Sequence, residues 1–164
     1  MLRRIPLLLA LSLAGFAPAC KDSASTTVVG TADFALAPGS STGFDFARDT
    51  NLPNDATSSR TGTIGGHCVL GTDTVDARLA VIGGTTQGVS WMDVHVVGTS
   101  PNEVATVEAD INGAIYAADC DQLAVTVDRN HRTFTMTGSC PLLSVAPDTV
   151  TLTSDLEFDG CQRQ

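Results

Sequence analysis

Residues 104–118 read VATVEADINGAIYAA, two alternating segments joined by Asn112-Gly113. A two-residue type I′ turn needs positive φ at both central positions, and Asn and Gly tolerate that best. Folding the segment about this dipeptide sets Ile111 opposite Ala114, Ala109 opposite Tyr116 and Val107 opposite Ala118. The result is a hairpin with one consistently apolar face, the unit from which antiparallel sheets are built. A second hairpin centres on Asn130-His131 and sets Val127 opposite Phe134 and Val125 opposite Met136.

Outward from these hairpins the pattern stays the same. No window keeps an i, i+3, i+4, i+7 apolar stripe for three turns, whereas β-branched residues alternate with polar ones between closely spaced turn residues. Further strands are predicted at residues 32–37, 43–47, 73–82, 89–97 and 149–158, with 48–61 a long polar loop. Strands at this spacing predict an all-β fold, an antiparallel β-sandwich or a partly closed barrel. Aromatic residues make up only 5% of the chain, so the core is expected to rest on Val, Leu, Ile and Ala. Small side chains bury less area each, at about 25 cal/mol per Å2, which leaves a role for cross-links.

Four of the five cysteines supply them. Cys68, Cys120, Cys140 and Cys161 allow three pairings. Cys120 precedes the first strand of the second hairpin and Cys140 follows the other, within about one residue of opposition, an offset that a bulge corrects. That leaves Cys68 for Cys161. No two cysteines have the C-x2-C to C-x4-C spacing of a zinc site.

The fifth, Cys20, belongs to the N-terminus. Arg3 and Arg4 precede a mostly apolar run, Ile5 to Phe16, and then Ala17-Pro18-Ala19-Cys20. A basic start, a short apolar segment and small residues before the junction read as an export signal, too short to remain a spanning helix. The junction resembles the bacterial lipobox, with Ala17 in place of the usual Leu and an unusual Pro18. The expected organisation is a signal peptide over 1–19, lipidated Cys20 and a tether to residue 31, and a single domain over 32–164. Lipidation of Cys20 leaves an even number of thiols for an oxidising compartment. The expected location is the cell envelope, at the outer membrane or cell surface.

Removing residues 1–19 leaves 145 residues, with seven basic against eighteen acidic side chains and a net charge of −11. Such a surface argues against nucleic acid or an anionic bilayer as a direct partner. The membrane is expected to be reached through lipid on Cys20, and multiple acyl chains make a durable anchor where one does not.

Residues 62–161 resemble the mycobacterial 19 kDa lipoprotein antigen family. The likeness lies in Gly65-Gly66-His67-Cys68, the segment from Leu79 to Gly84, the run Thr133 to Gly138, and Leu156-Glu157-Phe158 ahead of Cys161. The resemblance implies a small lipid-anchored β protein at the cell surface in which Cys68 pairs with Cys161. It carries over no catalytic residue, and a Cys120–Cys140 pair lies outside its pattern.

Chemistry-bearing residues are few. Trp91, Asp93 and His95 share one face of a predicted strand, with Met92, Val94 and Val96 on the other. They form either a ligand-binding face or the ordinary solvated side of a sheet. Asp49 to Asp55 places oxygen ligands at alternating positions but lacks the central Gly and distal Glu of a calcium loop. No nucleophile elbow, zincin motif or phosphate loop occurs. No enzyme activity, cofactor or metal is expected. Two functions remain: an envelope lipoprotein with a structural or surface-interaction β-domain, or a small-molecule or carbohydrate binding module built on Trp91 and neighbouring polar residues, with or without the assistance of calcium. A core tryptophan favours the first, one exposed in a cleft the second.

Overall fold

The computed structural model describes residues 25–36, 39–52, 56–58, 62–82, 88–99, 101–145 and 148–164. They contain β-strands and no helix: β1 (Thr26–Leu36), β2 (Ser40–Leu52), β3 (Ala56–Ser58), β4 (Gly62–Leu70), β5 (Thr74–Val81) and β6 (Val89–Val97). The second half adds β7 (Val104–Ile111), β8 (Ala114–Cys120), β9 (Ala124–Asp128), β10 (Thr133–Ser144), β11 (Thr149–Asp159) and β12 (Gln162–Arg163). The ladders are antiparallel apart from the short β12–β4 contact.

Both local hairpins form in the register their sequences dictate. Ile111 faces Ala114, Ala109 faces Tyr116 and Val107 faces Ala118, with Asn112 at φ 54° and Gly113 at φ 81°. Val127 faces Phe134 and Val125 faces Met136. The first turn is also tied sideways: Asn112 N–H donates to the Gly88 carbonyl and Gly88 N–H to Asn112 Oδ1, each at 2.9 Å. The hairpin therefore fixes the entry of β6.

The strands join in one sheet of order β12-β4-β5-β6-β7-β8-β10-β11-β1-β2, with β3 added to β4 and β9 to β10. This sheet curls into an open half-barrel. The two-layer sandwich named first from sequence therefore gives way to a form nearer the partly closed barrel. The reason lies at β8. It pairs with β7 along its length but with β10 through only Leu143–Ala117 and Ser144–Tyr116. This narrow seam keeps the two halves, β3–β8 with β12 and β1–β2 with β9–β11, in one sheet while letting them fold towards each other. At the other end of the order, Val89 N–H donates to Thr42 Oγ1 at 3.2 Å, bringing β2 against β6.

One disulfide joins the halves and the other ties the C-terminal segment to β4. Cys120–Cys140 links β8 to β10 with Cα atoms 5.5 Å apart, and Cys68–Cys161 links β4 to the residue before β12 at 4.7 Å. The one-residue offset expected for the first pair is taken up at Asp121–Leu123. From Cys120 to Ala124 is four residues, whereas from Thr137, the partner of Ala124, to Cys140 is three. A turn there brings Leu123 N–H to the Cys120 carbonyl at 3.3 Å.

One core fills the curl. Phe34, Phe44, Phe46, Phe134 and Phe158 are all buried, and all come from the half containing β1, β2, β10 and β11. The aliphatic core expected from composition is thus found mainly in the other half, where Ile64, Leu79, Met92, Val94 and Val107 pack. Gly30 permits the first half to close. It sits at φ +101° beside a register shift in the β1–β2 ladder, and a Cβ there would lie 1.8 Å from the Asp155 carbonyl oxygen.

Three sequence expectations need correction. β1 starts at Thr26, so residues 26–31, read as the end of the tether, are a strand held between β2 and β11. Residues 48–52 continue β2 and residues 56–58 form β3, so the polar loop over 48–61 is interrupted by sheet. The shift beside Val28 sets two extra residues into β2, and residues 48–51 are all polar, so no apolar alternation marked this part of the strand. Glycines similarly disguised β4, which pairs with β5 from Ile64–Val81 to Leu70–Val75. Residues 53–55, the end of the calcium-loop segment, and residues 1–20, with the signal and Cys20, lie outside the described residues.

Candidate functional site

The outer face of β5 and β6 carries the candidate residues. Alternation in β6 buries Met92, Val94 and Val96 and turns Trp91, Asp93 and His95 outward. The β5–β6 register then places Ala80 beside Trp91, Arg78 beside Asp93 and Asp76 beside His95. Each polar group meets a partner across the strands. Arg78 Nη1 donates to Asp93 Oδ2 at 2.7 Å, and its guanidinium lies 5.2 Å from the centroid of Trp91. His95 Nδ1 lies 2.6 Å from Asp76 Oδ1.

These contacts are half-exposed, with side chains 36–50% accessible, and therefore well screened. Exposed ion pairs contribute about 0–1 kcal/mol, and an exposed cation–π contact about 0.5–1 kcal/mol. A depression of about 270 Å3 opens beside the ladder, lined by His67, Asp76, Arg78, Asp93 and His95 among others. Trp91 stands outside that lining, half-buried, with Arg78 against its ring.

Asp76 orients the imidazole of His95 through Nδ1, which is half of an acid–base arrangement. The nearest cross-strand hydroxyl, Thr106, is already engaged, donating to Asp119 Oδ1 at 2.7 Å. Among the described residues no group of three or more His, Cys, Asp or Glu side chains is placed to hold a metal ion. What the face can do is present paired charges and a shielded indole to a polar surface.

The sequence identified the β6 residues but missed Asp76 and Arg78, which determine what each of them does. Residues 82–88 separate β5 from β6, too long a connection for a turn type to dictate register.

His131, at the tip of the second hairpin, is exposed but paired. Asp128 Oδ1 accepts the N–H groups of Asn130 and His131 at 2.8 and 3.0 Å, while Oδ2 lies 2.7 Å from His131 Nδ1. The hydrogen bond to His131 lowers the Asp128 pKa below 3.8, and the same bond raises the His131 pKa above 6.5. The pair therefore has each partner more than half charged between about pH 3.8 and 6.5. Its contribution fades as pH rises through the raised histidine value, and again as pH falls through the depressed aspartate value. In an NMR titration His131 should show a midpoint above 6.5, returning to the ordinary range in Asp128→Asn. An unchanged midpoint in that variant would remove the pair from the hairpin tip.

Comparison with known protein families, curated proteins and solved structures finds no match for this chain.

Proposed function

We propose that the chain is an exported envelope lipoprotein, anchored through lipid on Cys20, whose β-domain has a non-catalytic structural or surface-interaction role. The observation that carries this reading is the position of β1. The first described strand begins at Thr26, and only residues 21–25 separate it in sequence from the candidate anchor. Five extended residues reach roughly 17–18 Å, so a lipid on Cys20 would hold the domain close against the bilayer. Two buried disulfides fit a compartment outside the reducing cytosol. Cys68–Cys161 is also the pairing implied by the resemblance to the mycobacterial antigen family.

Trp91 weighs against a carbohydrate module centred on it, because Arg78 already occupies the ring and the indole does not line the depression. Mass spectrometry of protein from the envelope fraction tests the proposal. The N-terminal peptide should begin at Cys20 and carry covalent fatty acid, and Cys20→Ser should lose it. A mature chain starting elsewhere, or with an unmodified Cys20, would overturn the lipoprotein reading.

A further inference from the structure

At the end of the molecule where β1 begins, three segments converge on a cavity of about 150 Å3. It lies between the β4–β5 turn (Gly71, Thr72), Arg129 at the β9–β10 turn, and Arg163 of β12. The residues are held there by the fold. Arg129 Nε donates to the Gly71 carbonyl at 3.1 Å, and Gln164 N–H donates to the Leu70 carbonyl at 3.1 Å. Arg163 Nη2 donates to the Arg129 carbonyl, and Cys161 N–H donates to the Arg132 carbonyl at 2.9 Å. The Cys68–Cys161 disulfide pins β4 and β12 together just behind.

This arrangement leaves a charge uncompensated. Arg129 Nη2 is buried and has no hydrogen-bond partner among the described residues. Among the described residues, the ion pairs involve Arg78, His95 and His131, and none reaches Arg129 or Arg163. A guanidinium cannot shed its proton, and a buried N–H without an acceptor is costly. Arg129 and the exposed Arg163 converge here in a chain whose net charge is −9. Elsewhere on the molecule, Arg78 is matched to Asp93. Here no compensating acceptor stands among the described residues.

We propose that this cavity binds a phosphate group through Arg129 and Arg163. Planar guanidinium forks match phosphate oxygens, and two forks suit an anion with several acceptors better than a single carboxylate. A cavity of 150 Å3 is the size that admits a six-carbon ring, so a phosphate with part of its substituent fits. Its position points to two sources of that chemistry. Thr26 Oγ1 donates to the Gly160 carbonyl at 3.5 Å, so the chain leading to Cys20 departs beside the residues that enter β12. If Cys20 is anchored, the cavity faces the bilayer and a phospholipid headgroup is the ligand; otherwise free phosphate is. The site itself does not depend on the anchor, only the choice of source does.

Calorimetric titration of the disulfide-intact Cys20→Ser chain tests this with two probes at matched ionic strength. These are inorganic phosphate and dihexanoyl-phosphatidylglycerol below its micelle concentration, with acetate for comparison. The proposal expects saturable binding of at least one phosphate probe, and none of comparable strength for acetate. Affinity should fall about tenfold or more in Arg129→Met and in Arg163→Gln, the loss of roughly one charged hydrogen bond. Arg163 is exposed on a terminal strand, so its variant carries the test if Arg129→Met fails to fold. Binding of the lipid alone identifies a headgroup site, and binding of phosphate alone a free-anion site. No saturable binding by about 10 mM of either probe, or affinity unchanged in Arg163→Gln, would overturn the proposal. Neither result bears on acylation of Cys20, which the N-terminal mass decides separately.

Discussion

The variant lacking Cys68 and Cys161, both replaced by alanine, should lose more stability than the one lacking Cys120 and Cys140. The two bonds close separations of 93 and 20 residues. In the chain-entropy account these correspond to about 4.7 and 3.3 kcal/mol, a difference of roughly 1.4 kcal/mol. Alanine is the suitable replacement because all four cysteines are buried, and serine would add unpartnered hydroxyls to the core. The structure adds a reason for both losses to be large. β8 and β10 share only two residue pairs, so Cys120–Cys140 reinforces the seam at its narrowest point. Cys68–Cys161 holds β12, which contributes only two residues to its ladder with β4. Denaturant unfolding of both double variants without reductant gives the comparison. A larger loss for the Cys120–Cys140 variant would show that the seam, not loop closure, dominates.

Phe158→Ala should be destabilising by about 3–5 kcal/mol, the usual range for removing a buried phenylalanine. Phe158 is fully buried in β11, paired with Val28 of β1 on one side and Phe134 of β10 on the other. Its ring lies 5.7 Å from that of Phe134. It therefore supports three adjacent strands of the aromatic half at once. Its neighbour Glu157 faces solvent on the same strand, and Glu157→Ala should stay within about 0.5 kcal/mol. Folded proteins keep only about 5–15 kcal/mol in total, so the first substitution removes a large share and the second almost none. Equal effects in thermal or denaturant melts would refute the burial alternation of β11.

That alternation was legible without a structure, as were the two hairpins. Asn112-Gly113 and Asn130-His131 choose turns within a few residues, and a turn of known length dictates its register. From the second register followed the approach of Cys120 to Cys140, and by exclusion the partner of Cys68. The outward set Trp91, Asp93 and His95 also followed from period two alone. What each of these does was not legible. Asp76 and Arg78 reach them across a long connection, and no local rule gives that register. The start of the domain at Thr26 was hidden for a related reason, since Val28 and Thr31 become a strand only because β11, more than 120 residues later, pairs with them. The orphaned nitrogen of Arg129 lies furthest from the sequence. It depends on a turn at Gly71, a hairpin tip and a terminal strand meeting at one end of the sheet. Local conformation is governed by neighbours a few residues apart, and composition and spacing record those neighbours. A half-barrel instead assembles strands and charges that are remote in the chain, so only the tertiary structure decided which groups meet and which are left without a partner.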